Sequence, residues 1–334
     1  MAGTFAIILT VATLITAIFW FLEKFRWKPA RQRKVEEVRK QHNGEIDGKI
    51  LAEVGKPKGW VESISSFFPV LFVVFVIRSF LFEPFQIPSG SMMQTLLIGD
   101  FIAVQKYSYG LRDPITNTVL ISTGHPKRGD VAVFKHPNNP QMDLIKRVVG
   151  LPGDKIVYLI NEKKVLIYPA CQTNDANCVG GQKSEPLDLH YTQPQPSNWK
   201  EVHQEFKTSP NFYTLEQYAD KGIVDSQSVV ALNMNIQLET LGDKPHEILT
   251  TQGSHEDPNY FYRQNGQPIA TWIVPKDHYF MMGDNRDNSG DSRYFGFVPE
   301  QNFVGRATAI WISFEKQPDE WPTGIRFSRI GGIH

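Results

Sequence analysis

Two long apolar runs near the amino terminus stand out in the hydrophobic pattern of the chain. The first, residues 4–22, is nineteen residues long and contains no charged side chain. At about 1.5 Å per residue, a helix of this length matches the roughly 30 Å hydrocarbon core of a bilayer. No basic residue precedes the run, and it ends in the bulky residues 19–22 rather than in small ones. We therefore predict that residues 1–22 form a permanent transmembrane helix and not a cleaved signal peptide.

The second run, residues 63–82, is rich in Phe, Val, Leu and Ile and is interrupted by Pro69 and Arg78. Arg78 lies near the far end of the run, where a long side chain can reach the headgroup region. A buried core helix is the alternative interpretation. The length and composition of the run favour a second transmembrane helix.

The segment between the two runs, residues 23–62, is basic. From residue 23 to residue 60 it holds eleven Lys and Arg against six Asp and Glu. Basic loops remain on the cytoplasmic side of a membrane. We therefore predict that residues 23–62 are cytoplasmic, and that the amino terminus and everything after residue 82 are exported.

Beyond residue 83 the pattern changes to short apolar or alternating runs separated by turn-forming residues, which is typical of strands. Such short and frequent strands predict an antiparallel, barrel-like β-sheet. From residue 172 to about residue 270 the chain is polar and the periodicity weakens. We expect a mainly β protein in which residues 83–155 and 271–334 form one domain and residues 156–270 form an inserted β subdomain. The clearest predicted strands are residues 101–107, 131–136, 143–150, 155–160, 164–168, 279–282 and 307–314.

Charge and cysteine content narrow the possible partners. Lys and Arg total 35, as do Asp and Glu, so the overall charge gives no reason to expect nucleic acid as a partner. Cys171 and Cys178 are the only cysteines, and no histidine lies close to them in the sequence, which argues against a zinc site. A disulfide between them is expected because the predicted topology places them in an oxidising compartment.

A serine hydrolase must supply a base that removes the proton of its serine. The nine histidines are scattered, and the sequence G-x-S-x-G, which marks the nucleophile of many Ser-His-Asp hydrolases, is absent. The arrangement S-x-x-K is absent at Ser91 because Gln94 occupies the position of the lysine. The remaining option is a serine paired with a lysine from elsewhere in the chain.

Lys146 is the candidate base. Strand alternation places it on the same face as Leu144 and Val148. Apolar surroundings lower the pKa of an ammonium group, and only a neutral lysine can accept a proton. A lysine at a sheet edge with its amine in water is the alternative interpretation.

Ser91 is the candidate nucleophile. It follows Pro88 and Gly90 directly after the second apolar run. An irregular backbone of this kind can aim a hydroxyl and expose N–H groups to a developing oxyanion. An ordinary loop that leaves the membrane fits the same pattern.

Three blocks of the sequence resemble a known family. They are SGSMMQTL at 89–96, KRVVGLPGD at 146–154 and GDNRDNSGDSR at 283–293. In this order, and after two predicted membrane spans, they resemble bacterial type I signal peptidases (leader peptidases) of the Gram-negative kind. The resemblance extends to the terminal residues 329–334 and departs at Gln94, where the family usually has Pro or Ser.

The resemblance implies a set of site residues. It makes Ser91 the nucleophile and Lys146 the general base. Ser289 is implied to orient the lysine amine through a hydrogen bond, and Ser89 Oγ to form the oxyanion hole with the Ser91 N–H. Shallow apolar pockets for small substrate residues are expected to be lined by Ile87, Pro88, Val133 and Ile145.

The resemblance also implies supporting structure around the site. Asp284, Arg286 and Arg293 are expected to be structural, with Asp284 and Arg293 forming an ion pair. A β-ribbon is expected near residues 109–122. No metal and no organic cofactor is implied.

The function implied by the resemblance is that of a membrane-bound serine endopeptidase. Such an enzyme cleaves signal peptides from exported preproteins after small residues, in an Ala-x-Ala context. Its partners are preproteins and membrane lipid, and it is a multi-pass protein of the inner membrane with its amino terminus and catalytic domain in the periplasm. The alternatives are a Ser-Lys peptidase of different specificity and a non-catalytic membrane-anchored scaffold, and the presence of both Ser91 and Lys146 argues against the scaffold.

Overall fold

The structure is a computed structural model that describes residues 2–41, 47–57, 59–116, 118–171, 177–226, 228–242, 244–317 and 320–333. The chain divides into two compact units. The first comprises Met1–Phe82 with Arg112–Leu120, and the second comprises Glu83–Leu111 with Ile121–His334. Parts of the predicted cytoplasmic loop, residues 42–46 and residue 58, lie outside the described residues.

The first unit is helical except at residues 112–120, which hold parts of two short strands. Its helices are α1 (Ala2–Leu22), α2 (Lys28–Gln41), α3 (Gly48–Gly55) and α4 (Gly59–Val76), with π-helical segments at Glu23–Trp27 and Ile77–Leu81. Within the described residues, two helices are long and apolar enough to cross a membrane, Thr4–Gln41 and Gly59–Leu81.

Local contacts explain how polar residues fit into these apolar helices. The hydroxyl of Thr13 donates to the carbonyl of Leu9, one turn earlier, so its polar group is satisfied within the helix. The guanidinium of Arg78 lies 4.4 Å from the centroid of the Phe5 ring, and Trp20 of α1 contacts Phe68 of α4. The two apolar helices therefore pack side by side through aromatic side chains.

The second unit is built mainly of strands, with two short helices, α5 (Leu215–Asp220) and α6 (Ser292–Phe295). The strands that precede the polar segment are β1 (Phe82–Gln86), β2 (Asp100–Gln105), β3 (Leu111–Arg112), β4 (Val119–Ile121), β5 (Val131–His136), β6 (Asn139–Gly150), β7 (Lys155–Leu159) and β8 (Lys164–Tyr168). The strands of the polar segment are β9 (Cys178–Val179), β10 (Gln182–Lys183), β11 (His190–Tyr191), β12 (Gln195–Gln204), β13 (Asn211–Thr214), β14 (Val229–Leu241) and β15 (Lys244–Thr251). The last strands are β16 (Thr271–Ile273), β17 (His278–Met282), β18 (Val298–Pro299), β19 (Phe303–Glu315), β20 (Gly324–Ile325) and β21 (Gly331–Gly332).

The principal sheet has nine strands. Its order is β1-β2-β19-β5-β6-β17-β18, and β20 and β21 both pair with β19. Among the described residues no pairing joins β1 to β18, so the sheet is open at both ends. The prediction of a mainly β protein with two apolar amino-terminal helices is confirmed, but the expected barrel is not closed.

The polar segment forms a second, five-stranded sheet in which β14 pairs with β11, β12 and β15, and β12 also pairs with β13. A third sheet has the order β16-β7-β8. It brings Thr271–Ile273 against Lys155–Leu159, so one sheet joins strands that start at the beginning of the predicted insertion to the strand that directly follows it. The bounds of the inserted subdomain stay a prediction. The strands β3 and β4 lie within the segment predicted to form a β-ribbon.

Cys171 and Cys178 form a disulfide with their Cα atoms 6.1 Å apart. This pairing confirms the one expected from the sequence. The loop that it closes includes residues 172–176, which lie outside the described residues.

Two hydrophobic clusters hold the segment between β1 and β2 from opposite sides. Ile87, Met92 and Leu96 belong to a cluster with buried residues of the principal sheet. Met93, Leu97 and Ile98 belong to a second cluster, with side chains of the five-stranded sheet that include Phe212. Neighbouring residues of this segment therefore bury their side chains in two different cores, which keeps an irregular backbone in one conformation.

Candidate active site

Ser91 lies in the irregular segment between β1 and β2. The backbone N–H of Ile87 donates to Asp100 O at 2.8 Å, and that of Leu96 donates to Met92 O at 2.8 Å. A Cβ at Gly90 would lie 2.5 Å from the ring of Phe212, so only glycine allows the backbone to approach the second core this closely. The Ser91 side chain is 8% exposed, which places its hydroxyl at the margin of the interior.

Lys146 comes from β6, between β5 and β17 in the principal sheet. It is opposite Ala132 of β5 and is 3% exposed, so the alternative of an exposed lysine at a sheet edge is wrong. Lys146 Nζ and Ser91 Oγ are hydrogen-bonded at 2.5 Å. Two residues that are 55 positions apart in the sequence therefore form one polar contact in a buried environment.

Burial determines the charge state of this lysine. Loss of hydration lowers the pKa of Lys146 to about 8, although the nearby carboxylates of Asp291 and Asp284 act in the opposite direction. About one tenth of the amine is then neutral at pH 7, far more than for an ordinary lysine, and this fraction can accept a proton. The arrangement has the chemistry of a serine nucleophile beside its base.

The two other predicted serines take different positions. Ser89 Oγ lies 3.4 Å from Ser91 Oγ, on the same side of the turn. Ser289 is buried, and its Oγ makes no hydrogen bond to Lys146, so the predicted hydrogen bond between them is absent. The Ser289 hydroxyl instead faces Asp291, where burial raises the pKa of the carboxyl but Arg293 and this hydroxyl hold it below its usual value. A Cβ at Gly283 would lie 2.2 Å from Ser289 Oγ and 2.5 Å from Ser91 O, which shows how tightly Ser289 and the nucleophile turn pack around that glycine.

A predicted ion pair is replaced by two others. Arg147 binds Asp284 through two parallel hydrogen bonds of 2.9 and 2.8 Å, whereas Arg293 binds Asp291 through two of 2.9 Å. The expected pair between Asp284 and Arg293 is therefore wrong. Burial by itself raises the pKa of Asp284, but Arg147 holds it below its usual value, so the carboxylate stays ionised beside the site.

The structure brings three of the four predicted pocket residues into one cluster and places the fourth at a separate cleft. Ile87 and Val133 are almost fully buried in one cluster, and Ile145 packs against it from a partly exposed position. Pro88 is exposed and lines a cleft of about 450 Å³ together with Ser89, Gly90 and the loop 206–210. This loop was not predicted from the sequence, because its polar residues carry no periodic or catalytic pattern.

Two further contacts at the nucleophile turn were also missed. The Asn285 side chain donates from Nδ2 to Gly90 O at 3.0 Å, and its backbone N–H donates to Ser91 O at 3.1 Å. Trp199 Nε1 donates to Gln94 Oε1 at 2.7 Å. Asn285 lies within one of the three blocks of the resemblance, but only the fold shows which carbonyl groups it reaches.

A serine hydroxyl in contact with a buried lysine amine, on a mainly β unit, is typical of serine hydrolases that use a Ser-Lys site. Ser91 and Lys146 are the candidates for such a site here. A family model of the signal peptidases, peptidase S26, matches residues 60–312. The chain belongs to this family and is a hydrolase of the signal peptidase I type.

Similar proteins cover the whole chain. The signal peptidase I of Buchnera aphidicola subsp. Schizaphis graminum is 45% identical over 336 residues, with 100% of both chains covered. The signal peptidase I of Pseudomonas aeruginosa is 35% identical over 345 residues, again with 100% of both covered, and that of Haemophilus influenzae is 35% identical, with 99% of this chain and 92% of the relative covered. A crystal structure of a signal peptidase I from Enterococcus faecalis V583 aligns with 55% of this chain and 97% of its own at 20% identity, with a TM-score of 0.24.

Proposed function

We propose that this protein is a membrane-bound serine endopeptidase that removes N-terminal signal peptides from exported preproteins. The observation that carries the proposal is the 2.5 Å contact between Ser91 Oγ and the buried amine of Lys146. Membership of the signal peptidase family supports the substrate class. The reaction is hydrolysis of the peptide bond that follows a small residue in an Ala-x-Ala context.

The proposed mechanism uses the chain's own side chains. Neutral Lys146 takes the proton of Ser91 as Oγ attacks the scissile carbonyl carbon, and the resulting oxyanion is bound by the Ser91 N–H and Ser89 Oγ. Lys146 then gives the proton to the leaving amine as the C–N bond breaks, which leaves an acyl ester on Ser91. Lys146 next takes a proton from water, the hydroxide attacks the ester, and the proton returns to Ser91 as the product acid leaves.

The preference for small residues is proposed to arise from Ile87, Pro88, Val133 and Ile145. The near-complete burial of Ile87 and Val133 supports this proposal, because side chains fixed in a packed core leave little room for a large substrate residue. Replacement of Val133 or Ile145 by alanine should therefore widen the range of accepted residues.

We also propose the inner membrane as the location, with the amino terminus and catalytic domain periplasmic and residues 23–62 cytoplasmic. Two candidate spans and the basic segment between them support it, and lipid is then a partner. In spheroplasts, an impermeant thiol reagent should label Lys276→Cys, whereas Gln41→Cys should react only after lysis. Labelling of Gln41→Cys in intact spheroplasts would exclude this topology.

The activity is tested with detergent-solubilised protein, a preprotein and mass spectrometry of the products. Ser91→Ala and Lys146→Ala should each abolish cleavage, and the double variant should be no worse than either, because residues that act as one unit give non-additive losses. Lys146→Arg should also be inactive, since a guanidinium remains protonated. Ser289→Ala should slow cleavage less, because its hydroxyl makes no hydrogen bond to Lys146 in this structure.

Lys135→Ala is the matched control. Lys135 lies on the neighbouring strand β5 and pairs with Asp143 at 3.2 Å, so its loss should leave cleavage unchanged. Turnover by Ser91→Ala or Lys146→Ala would exclude the dyad. Cleavage at sites other than the end of the signal peptide would favour a Ser-Lys peptidase of different specificity.

A further inference from the structure

Asn285 contacts both peptide groups that flank the serine proposed as nucleophile. It follows β17, is fully buried, and donates to Gly90 O through Nδ2 at 3.0 Å and to Ser91 O through its backbone N–H at 3.1 Å. A carbonyl oxygen can only accept, so the side-chain atom that faces Gly90 O must be the amide nitrogen.

The first of these bonds determines the direction of a neighbouring N–H group. Gly90 C=O and Ser91 N–H belong to the same planar trans peptide, in which the two groups point in opposite directions. A donor that holds Gly90 O therefore also aims the Ser91 N–H. Within the described part of the chain, the Ser91 N–H has no acceptor of its own, which leaves it available to a substrate oxyanion.

The second bond holds the next peptide plane. With the peptide groups on both sides of Ser91 oriented, the backbone dihedrals of Ser91 are restricted, and so is the direction of its Cβ and Oγ toward Lys146. One asparagine is thus in contact with the backbone that aims both the nucleophile and the oxyanion donor.

The support for Asn285 is itself rigid. Its neighbour Asp284 is held by Arg147 through two hydrogen bonds, and Asp284 O accepts from Leu249 N at 2.9 Å. Gly283 N donates to Asp291 Oδ2 at 3.0 Å. The amide of Asn285 is therefore oriented before any substrate binds, as a preorganised oxyanion site requires.

We infer that Asn285 is a positioning residue for the oxyanion hole, acting through the peptide that joins Gly90 to Ser91. This inference deepens the proposed function and rests on it. Because the oxyanion exists only after Ser91 has attacked, the contribution of Asn285 falls on the chemical step and not on the binding of the substrate.

The test removes the Asn285 donor in two ways, one that keeps the shape of the side chain and one that shortens it. Asn285→Asp removes the N–H and places an acceptor against Gly90 O, and Asn285→Ala removes the bond without repulsion. Asn302→Asp is the matched control, because Asn302 Nδ2 also donates to a backbone carbonyl, Lys135 O, at 3.0 Å. Measured quantities are kcat and KM for a signal-peptide substrate, the pH dependence of kcat/KM, the thermal midpoint, and the inhibition constant of a peptide aldehyde that forms an oxyanion on Ser91.

For both Asn285 variants we expect kcat to fall about 10- to 100-fold, somewhat less than the loss of an oxyanion donor itself. KM should stay within about threefold, and the aldehyde should bind more weakly by a factor similar to the loss in kcat. For Asn285→Ala the ascending limb of the pH profile should not move, because this change neither adds nor removes a charge near Lys146. Asn285→Asp adds a carboxylate and should move the limb to higher pH, as the carboxylates of Asp291 and Asp284 already do. Asn302→Asp should stay within about twofold of the unmodified protein in all of these quantities.

Several results would overturn the inference. The inference is excluded by a kcat within about twofold of the unmodified value for Asn285→Ala, by a loss confined to KM, or by an equal loss in Asn302→Asp. A displaced pH profile in Asn285→Ala, which changes no charge, also excludes positioning of the oxyanion donor. If Asn285→Asp does not fold, Asn285→Ala and Asn285→Ser decide. Ser91→Ala is assayed in parallel to distinguish failure of the proposed function from failure of this inference. Cleavage by Ser91→Ala would exclude the proposed function. An inactive Ser91→Ala together with a fully active Asn285→Ala would exclude only the role of Asn285.

Discussion

The indole N–H of Trp199 donates a 2.7 Å hydrogen bond to the side-chain oxygen of Gln94. Trp199 lies on β12 of the five-stranded sheet, and Gln94 follows Ser91 by three positions. Of the two residues that the resemblance leads us to expect at this position, proline has no side-chain acceptor and serine has a shorter side chain. The departure that the sequence shows at Gln94 therefore provides a contact between the second sheet and the nucleophile segment.

The first prediction concerns this contact. Gln94→Ala and Trp199→Phe should each lower the free energy of unfolding by about 1 kcal/mol, and the double variant should lose less than the sum, because one hydrogen bond is lost only once. Chemical denaturation of a double-mutant cycle measures the coupling. Trp311→Phe is the control, since that indole is half exposed. Strictly additive losses would show that the bond contributes nothing to stability.

The second prediction is that the cleavage rate rises with pH through about 8, where Lys146 loses its proton. The ammonium cannot act as a base, so kcat/KM should fall about tenfold for each pH unit below the pKa. A pH–rate profile of the unmodified protein measures this limb. A limb near the ordinary lysine pKa of 10.5 would contradict the burial of the amine.

The same lysine should affect stability, and this is the third prediction. Its folded pKa, about 8, lies below its ordinary value of 10.5, so between these two pH values the unfolded chain binds more protons and stability rises with pH. Below pH 8 the folded state carries the full cost of a buried ammonium. Lys146→Met should therefore be more stable than the unmodified protein at pH 7, by up to roughly 3 kcal/mol, and this advantage should disappear above about pH 10.5.

Thermal or denaturant unfolding over this pH range gives the difference directly. Lys135→Met is the control, because Lys135 keeps one third of its side chain exposed and should show no such pH-dependent gain. If the gain in stability of Lys146→Met does not change with pH, the gain arises from packing and not from the charge of the amine.

The fourth prediction concerns the buried pair of Arg147 and Asp284, whose side chains are each 1% exposed. Asp284→Ala leaves Arg147 buried without its partner and should cost about 3 to 5 kcal/mol of unfolding free energy. Asp143→Ala, which breaks a partly exposed pair with Lys135, should cost less than about 1 kcal/mol. Equal losses in the two variants would show that burial adds nothing to the pair.

The pH dependence of this pair has the opposite sign to that of Lys146. The pKa of Asp284 in the folded protein is lower than its ordinary value of 3.8, so the stability that the pair contributes is fully present above that value. It should be lost as the pH falls below 3.8. The difference between Asp284→Ala and the unmodified protein should therefore shrink in acid.

The fifth prediction concerns the disulfide. Replacing Cys171 and Cys178 by serine should lower the free energy of unfolding by about 2 to 3 kcal/mol, the loop-closure value for a separation of seven residues. Cleavage should survive, because neither cysteine belongs to the candidate site. Free thiols in the denatured, unreduced protein would show that the disulfide does not form. Loss of activity at a temperature where the serine variant is still folded would show that the disulfide supports the candidate site.

Residues that are close in sequence, or that repeat with a fixed period, could be assigned from the sequence alone. The two apolar helices follow from uninterrupted runs of apolar residues, and the strands follow from alternation, because each pattern expresses local geometry. Alternation and spacing left other interpretations of Ser91 and Lys146 open, and the resemblance of the three blocks is what assigned the two residues as nucleophile and base. The family itself could be recognised from three short blocks.

The tertiary structure decided which residues meet. Strand alternation places Lys146 and Arg147 on opposite faces of β6. Which carboxylate binds Arg147 depends on the register between β6 and β17. Because Met282 lies opposite Arg147, Asp284 rather than a more distant carboxylate reaches it. The open principal sheet and the contacts of Asn285 depend on the same long-range pairings. The sequence by itself therefore determined the helices, most strands and the candidate reacting groups. The ion pairs, the position of Ser289 and the contacts of Asn285 with the peptides around Ser91 were decided by packing. Their partners come from distant parts of the chain, and no local pattern encodes that distance.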